Sequence, residues 1–183
     1  MRKIQKTFGK FTIEMRDCKE IDGHDDSYPY IGYLYVNGKQ FCKCYNDGWG
    51  GDTMLTPTEY GDSIFQEVKA EVEKEKDVFN GLEFTYTIDF LADELAVEYA
   101  EEEEICRLQD KYLLFKKGTM NIIQLPFKYK GGKTTIPIKE LMLTEKGQKT
   151  LYDSITKYES IGYELLNRNL QKDLKKLREK FGK

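Results

Sequence analysis

The segment Ile31–Asp52, IGYLYVNGKQFCKCYNDGWGGD, constrains the fold more than any other stretch of the chain. Asn37-Gly38 separates two apolar, β-prone runs. A two-residue type I′ turn needs φ > 0 at both central positions, which Asn-Gly tolerates best. The turn sets a register: Tyr35 opposite Gln40, Leu34 opposite Phe41, Tyr33 opposite Cys42 and Ile31 opposite Cys44. Side chains alternate between the faces of a strand, so Ile31, Tyr33, Cys42 and Cys44 are expected on the core face. Leu34 and Phe41 would pair on the other face, beside Gly32, Val36, Lys39 and Lys43.

A glycine-rich loop follows the hairpin at once, and it carries the only tryptophan. Asn46, Asp47, Gly48, Trp49, Gly50, Gly51 and Asp52 are the candidate binding residues. The three glycines admit backbone conformations closed to other residues. Successive amides in such a loop can form a concave nest for an anion. Trp49 can offer a large apolar face to a partner or stack on a ring. The alternative is a bulged connection that folds Trp49 back onto the core. No Gly-Lys-Ser/Thr follows, so the loop is not a phosphate-binding P-loop.

Periodicity orders the rest. Thr7–Cys18 reads as one strand with Phe8, Phe11, Ile13 and Met15 apolar, and Asp17–Tyr28 as a polar loop. Thr56-Pro57-Thr58-Glu59 reads as a capping box with Thr56 as cap and Pro57 at the first helical position. Tyr60, Ile64, Phe65, Val68 and Val72 mark one face of that helix, which should end near Asp77, before Asn80-Gly81. Leu82, Phe84, Tyr86 and Ile88 alternate as a short strand; a helix then spans about Asp89 to Gln109, with Leu91, Leu95, Tyr99 and Ile105 as its stripe. Tyr112–Lys116, Asn121–Tyr129 and Thr134–Ile138 form a small meander, with Pro126 at an edge or bulge. Leu143-Thr144-Glu145-Lys146-Gly147 opens a helix containing Leu151, Ile155 and Tyr158.

Glu164–Lys183 closes the chain as an amphipathic helix striped by Leu166, Leu170, Leu174, Leu177 and Phe181. It holds seven Lys or Arg against three Asp or Glu. Its stripe needs burial, by docking on the body or by pairing between copies. The expected fold is α+β: an antiparallel sheet from the N-terminal strand and hairpin, plus a second small meander, packed against helices. Residues 1–139 would form the core domain and 140–183 a helical segment.

Composition narrows the function. A net charge of −3 gives no general reason to approach nucleic acid or an anionic membrane. No apolar run approaches the roughly 20 residues of a membrane span. The basic start MRKIQKTFGKF lacks the apolar stretch of a signal peptide, so the cytoplasm is the expected location.

The chemistry-bearing residues are scattered. Cys18, Cys42, Cys44 and Cys106 make no disulfide framework, and Cys42-x-Cys44 with one distant histidine does not match a zinc site. His24 lies among Asp22, Asp25 and Asp26, which reads as a solvated turn; with Asp52 it is also the one candidate metal or proton-transfer set. The spacing is not that of an EF-hand loop. Glu67-Val68-Lys69 carries the Glu-x-Lys fragment of many nuclease sites, on what reads as a solvated helix face. Glu101–Glu104 is an acidic run that either faces solvent or mimics a phosphate backbone. No Ser-His-Asp set, metal-ligand cluster or nucleotide fingerprint is present, so neither cofactor nor metal is expected.

Three features together resemble a protein group of tailed phages and integrated elements: the Asn37-Gly38-Lys39 turn, the Asn46-Asp47-Gly48-Trp49-Gly50-Gly51 loop, and an acidic helix followed by Leu114-Phe115-Lys116. The resemblance spans about Tyr28–Tyr129 and leaves the C-terminal helices uncovered. It implies a mobile-element origin, not a reaction, and carries over no catalytic residue. Leu143–Gly147 also resembles the strand-to-helix junction of winged-helix regulators, without a recognition helix ahead of it. The resulting expectation is a non-enzymatic accessory protein binding a host or defence protein in the host cytoplasm. The competing readings are a nucleotide or phosphate binder using the glycine loop, a metal-dependent hydrolase using His24, Asp22, Asp25 and Asp52, and a DNA-binding regulator using the basic tail.

Overall fold

The computed structural model describes residues 1–24, 26–79 and 82–182. The chain is α+β and groups into two compact units, Met1–Glu102 and Glu103–Lys183.

The first unit is built on a five-stranded antiparallel meander whose strands lie in chain order: β1 (Ile4–Phe8), β2 (Phe11–Glu20), β3 (Tyr30–Val36), β4 (Lys39–Asn46) and β5 (Met54–Pro57). The single strand expected over Thr7–Cys18 is the end of one strand and most of another. Gly9, at φ +51°, and Lys10 turn the chain so that Phe8 faces Phe11. Glycine adopts that φ without a Cβ penalty, and alternation continues on both sides of the turn.

The Asn-Gly turn forms as expected, with Asn37 at φ +49°, Gly38 at +83° and Tyr35 facing Gln40. Beyond it the register departs from the expectation. Leu34 faces Cys42, Gly32 faces Cys44 and Ile31 faces Tyr45, because a bulge at Phe41 inserts one extra residue into β4. An inserted residue moves every later pair to the other face. The buried side of β3 is therefore Tyr30, Gly32, Leu34 and Val36, while Ile31 and Tyr33 are only half-buried. Cys42 and Cys44 remain inside as expected. Phe41 is buried too and stacks on Phe65 at 5.5 Å.

Helix α1 (Glu59–Val72) starts two residues later than the capping-box reading and ends five residues earlier. Thr56 and Pro57 finish β5, and Thr58 is the cap, its hydroxyl accepting from the Gly61 amide at 3.0 Å. The Phe41 carbonyl accepts from the Thr58 amide at 2.9 Å, which joins the helix start to the bulged strand. Hairpin strands β6 (Lys76–Phe79) and β7 (Leu82–Thr85) follow; the Asn80-Gly81 punctuation lies outside the described residues. Helix α2 (Ile88–Leu108) buries Leu91, Ala92, Leu95 and Ala96 in the same core as the sheet.

The acidic run on α2 is not wholly a solvated face. Glu102 is 1% exposed, accepting from the Arg2 amide at 3.1 Å and lying 3.3 Å from the Arg2 Nε. Removing a cation that faces a buried carboxylate is costly. Arg2→Ala should destabilise the protein by about 2 kcal/mol, less than a fully buried pair because the guanidinium is half-exposed. The melting temperature reads this; an unchanged value would show that the pair contributes nothing.

The second unit holds a three-stranded sheet in the order β10 (Glu164–Leu165), β8 (Tyr112–Lys116) and β9 (Ile123–Pro126). The strand expected over Thr134–Ile138 is absent: Thr135 makes one isolated bridge to Lys128, and Ile138 opens α3 (Ile138–Met142). The third strand comes instead from the segment expected to be wholly helical. Asn167 explains the extended start of that segment. Its buried amide accepts from Leu114 N at 2.7 Å and donates to Tyr112 O at 2.8 Å and Gln109 O at 3.0 Å. These bonds hold the chain beside β8 before a single 3-10 turn, Arg168–Leu170, leads into α5 (Gln171–Phe181).

Helix α4 (Glu145–Ser160) is capped by Thr144, and α5 docks on it within the unit. Leu170 and Leu177 are buried, and Arg178 reaches Glu159 at 2.8 Å. Segment 140–183 thus lies within the second unit, beside β8 and β9. No helix among the described residues is long and apolar enough to cross a membrane.

Candidate functional site

β4 ends on Asn46, whose side chain points inward and fastens the following loop. Its Oδ1 accepts from Gly48 N at 2.9 Å and from Ser27 Oγ at 3.1 Å. Its Nδ2 donates to Thr53 Oγ1 at 3.0 Å and to Asp93 Oδ1 at 3.4 Å. Asp93, on α2, also accepts from Tyr30 OH at 3.0 Å and closely from the Thr53 hydroxyl. Burial, above all, pushes the Tyr30 phenol far above its ordinary range; the Asp93 charge adds to this and the Thr53 hydrogen bond opposes it. Both ends of the glycine loop, Asn46 and Thr53, are therefore pinned to one carboxylate on a helix whose inner face is in the core.

The neighbouring loop closes on the outer side. His24 N donates to Asp47 O at 2.9 Å and Ser27 N to Gly48 O at 3.1 Å. Gly48, at φ +85°, packs its Cα against the His24 backbone, and Gly50 stands at φ +75°. Between them Trp49 is 67% exposed. The His24 ring stacks on the indole, with centroids 4.0 Å apart and 18° between planes. His24 Nδ1 lies 3.1 Å from an Asp26 oxygen, which orients the imidazole. Met54, 65% exposed, adds a second apolar side chain just beyond the loop.

The seven candidate residues separate into two roles. Asp47, Trp49, Gly50, Gly51 and Asp52 form the exposed surface, whereas Asn46 and Gly48 are buried and shape it. Sequence reading missed Tyr30, Thr53 and Asp93 as supports. A lone Asp on an amphipathic helix, 47 positions from Asn46, leaves no local signal. His24 was visible as the only histidine, but its role beneath the indole was not.

The geometry bears on the other readings as well. The Gly48 amide is bonded to Asn46, and the Trp49 amide to Asp47 Oδ1 at 3.2 Å, so two donors of the expected anion nest are occupied. The exposed carboxylates of Asp26, Asp47 and Asp52 further disfavour an anion there. Among the described residues no group of three or more His, Cys, Asp or Glu is placed to hold a metal ion; Asp25 lies outside them. Cys42 and Cys44 sit side by side with sulfurs 3.8 Å apart. Their mutual hydrogen bond and burial push the Cys44 thiol well up, which makes it a poor nucleophile.

Glu67 pairs with Lys10 at 2.8 Å and Lys69 with Glu73 at 3.6 Å, while Val68 is core, as on any helix surface. A cavity of about 330 Å³ is lined by Lys6, Phe8, Glu75, Lys76 and Tyr86 among others. Its cations are already engaged: Lys6 with Glu94 and Tyr86, Lys76 with Glu83.

The chain matches no family model, no curated protein and no solved structure.

Proposed function

We propose that this is a non-enzymatic accessory protein of a phage or mobile element that binds a host or defence protein through the Trp49 loop. One observation carries the binding part: an indole two-thirds exposed, yet held on a stacked imidazole and on a backbone pinned from both ends. A large aromatic that is rigid before contact pays little ordering entropy on binding, and such residues dominate interface energetics. The mobile-element origin and the host cytoplasm rest on the hairpin-plus-glycine-loop resemblance described above.

The test is a pull-down from host lysate with the wild-type chain and Trp49→Ala. A hot-spot tryptophan contributes about 2–4 kcal/mol, so the variant should bind its partner roughly 30- to 1,000-fold more weakly. The indole is two-thirds exposed and its stacking partner is His24, so the unfolding free energy should fall by no more than about 1 kcal/mol. Equal recovery of the same partners by both proteins would sink the role of the loop.

A further inference from the structure

The near-neutral total charge conceals a division. Met1–Glu102 holds 11 Lys or Arg and 22 Asp or Glu, whereas Glu103–Lys183 holds 18 and 10. Within the second unit, no Asp or Glu occurs between Asp110 and Glu140, a stretch that carries Lys111, Lys116, Lys117, Lys128, Lys130, Lys133 and Lys139. All of these but Lys116 are exposed. The tail that looked basic in sequence is different, because its cations are largely matched. Lys175 pairs with Glu179, Lys176 with Asp173, Arg178 with Glu159 and Lys180 with Glu145. Lys111, Lys128, Lys130, Lys133 and Lys139 make no ion pair among the described residues.

The backbone brings those five lysines to one end of the small sheet. Tyr112, where β8 begins, faces Pro126, where β9 ends. The chain then makes a turn: Lys128 bridges to Thr135, Gly132 N donates to Tyr129 O at 2.8 Å, and Ile136 N to Phe127 O at 2.7 Å. Ile138 N donates to Asp110 O at 2.9 Å, which returns the chain beside Lys111. Asp110 itself is held by Asn169 Nδ2 at 3.0 Å. Tyr129 stands in this turn, flanked by Lys128 and Lys130, and is 67% exposed.

We propose that this lysine-rich turn, Lys128–Lys133 with Lys111 and Lys139, binds single-stranded nucleic acid, its lysines on phosphates and Tyr129 stacked on a base. Unpaired lysines attract phosphates and release counterions. An exposed aromatic among them offers a stacking platform that tolerates any base. A turn of Lys, Tyr, Gly and Thr has no apolar face to insert into a bilayer, and duplex DNA would leave the tyrosine ring without a partner. The proposal is independent of the Trp49 loop.

The test uses the full chain and a fluorescein-labelled oligothymidylate of about 15 nucleotides, followed by anisotropy. Each phosphate contact contributes a salt slope of about −0.7, so five lysines give about −3.5, or roughly 100-fold weaker binding between ~50 and ~200 mM salt. Lys128→Gln/Lys130→Gln/Lys133→Gln should bring the slope to about −1.4. Tyr129→Ala should weaken binding about tenfold at an unchanged slope. All four side chains are exposed, and circular dichroism checks that the variants fold. No binding at ~50 mM salt and ~100 μM protein would overturn the proposal. So would an unaltered slope in the triple variant, or a duplex that binds as tightly and ignores Tyr129→Ala. Salt-sensitive self-association without oligonucleotide binding would give the basic turn to a second, acidic copy of the chain instead.

Discussion

Gly48→Ala should cost about 3–5 kcal/mol, a large share of the ~5–15 kcal/mol that holds a typical domain folded. Two effects combine. Gly48 sits at φ +85°, where a Cβ costs about 1–2 kcal/mol. An added Cβ would also fall on the His24 carbonyl oxygen and lie 2.7 Å from its carbon and 2.9 Å from its nitrogen. Backbone cannot swing aside as a side chain can. The two loops must part, with loss of the His24–Asp47 and Ser27–Gly48 hydrogen bonds at about 1 kcal/mol each. Gly51→Ala is the control in the same loop, because its Cβ would meet nothing within 4 Å and its φ is not left-handed. It should stay within about 0.5 kcal/mol of wild type. Urea denaturation reads both, and equal midpoints for the two variants would mean that the loops do not clasp as described. Gly48→Ala should also weaken partner capture, since parting the loops releases the indole from its imidazole support.

What the sequence disclosed followed the range of each signal. The Asn37-Gly38 turn acts over two residues and stands where the pattern put it, and the helix expected to open within Leu143–Gly147 begins at Glu145. The bulge at Phe41 has no such local mark. Phe41, the extra residue, is buried against Phe65 of α1, a contact 24 positions away that the local pattern does not announce. The C-terminal segment shows the same limit. Its leucine spacing is helical, yet Asn167 offers three hydrogen bonds to β8 and its approach, and these outweigh helix propensity over 164–167. At the candidate site the exposed residues were legible from glycine and tryptophan chemistry. The supports Tyr30, Thr53 and Asp93 were not, since their partners are distant in sequence.

Tyr30 and the buried Cys44 make alkaline pH the second strong lever on stability. Cys44 and Tyr30 are both neutral when protonated, and the fold raises the pKa of each: Cys44 through its hydrogen bond to Cys42 and burial, Tyr30 chiefly through burial. An unfolded chain loses these protons near the ordinary thiol and phenol values of about 8.5 and 10. The folded chain keeps them, so above those values the unfolded state binds fewer protons and stability falls as pH rises. The contribution is whole below pH ~8.5 and declines by about 1.4 kcal/mol per pH unit for each group past its unfolded pKa. Between pH 8 and 11 the loss should reach about 5 kcal/mol. Lys10, raised by its hydrogen bond to Glu67, acts in the same direction but is fully exposed.

Urea midpoints measured across this range separate the two groups. Cys44→Ala should delay the onset from about pH 8.5 to about pH 10. A wild-type midpoint flat from pH 8 to 10, or one unchanged by Cys44→Ala, would refute the assignment. The phenol bears on the binding loop directly. Tyr30 donates to Asp93, Asp93 accepts from Asn46, and Asn46 holds the Gly48 amide. A phenolate beside that carboxylate would set two negative charges on the anchor of the loop. The folded chain therefore keeps the phenol protonated, and Trp49 emission measured without urea should stay constant from pH ~8 to ~11 wherever the chain is folded; a change that precedes unfolding would show that the anchor of the loop titrates in the native state.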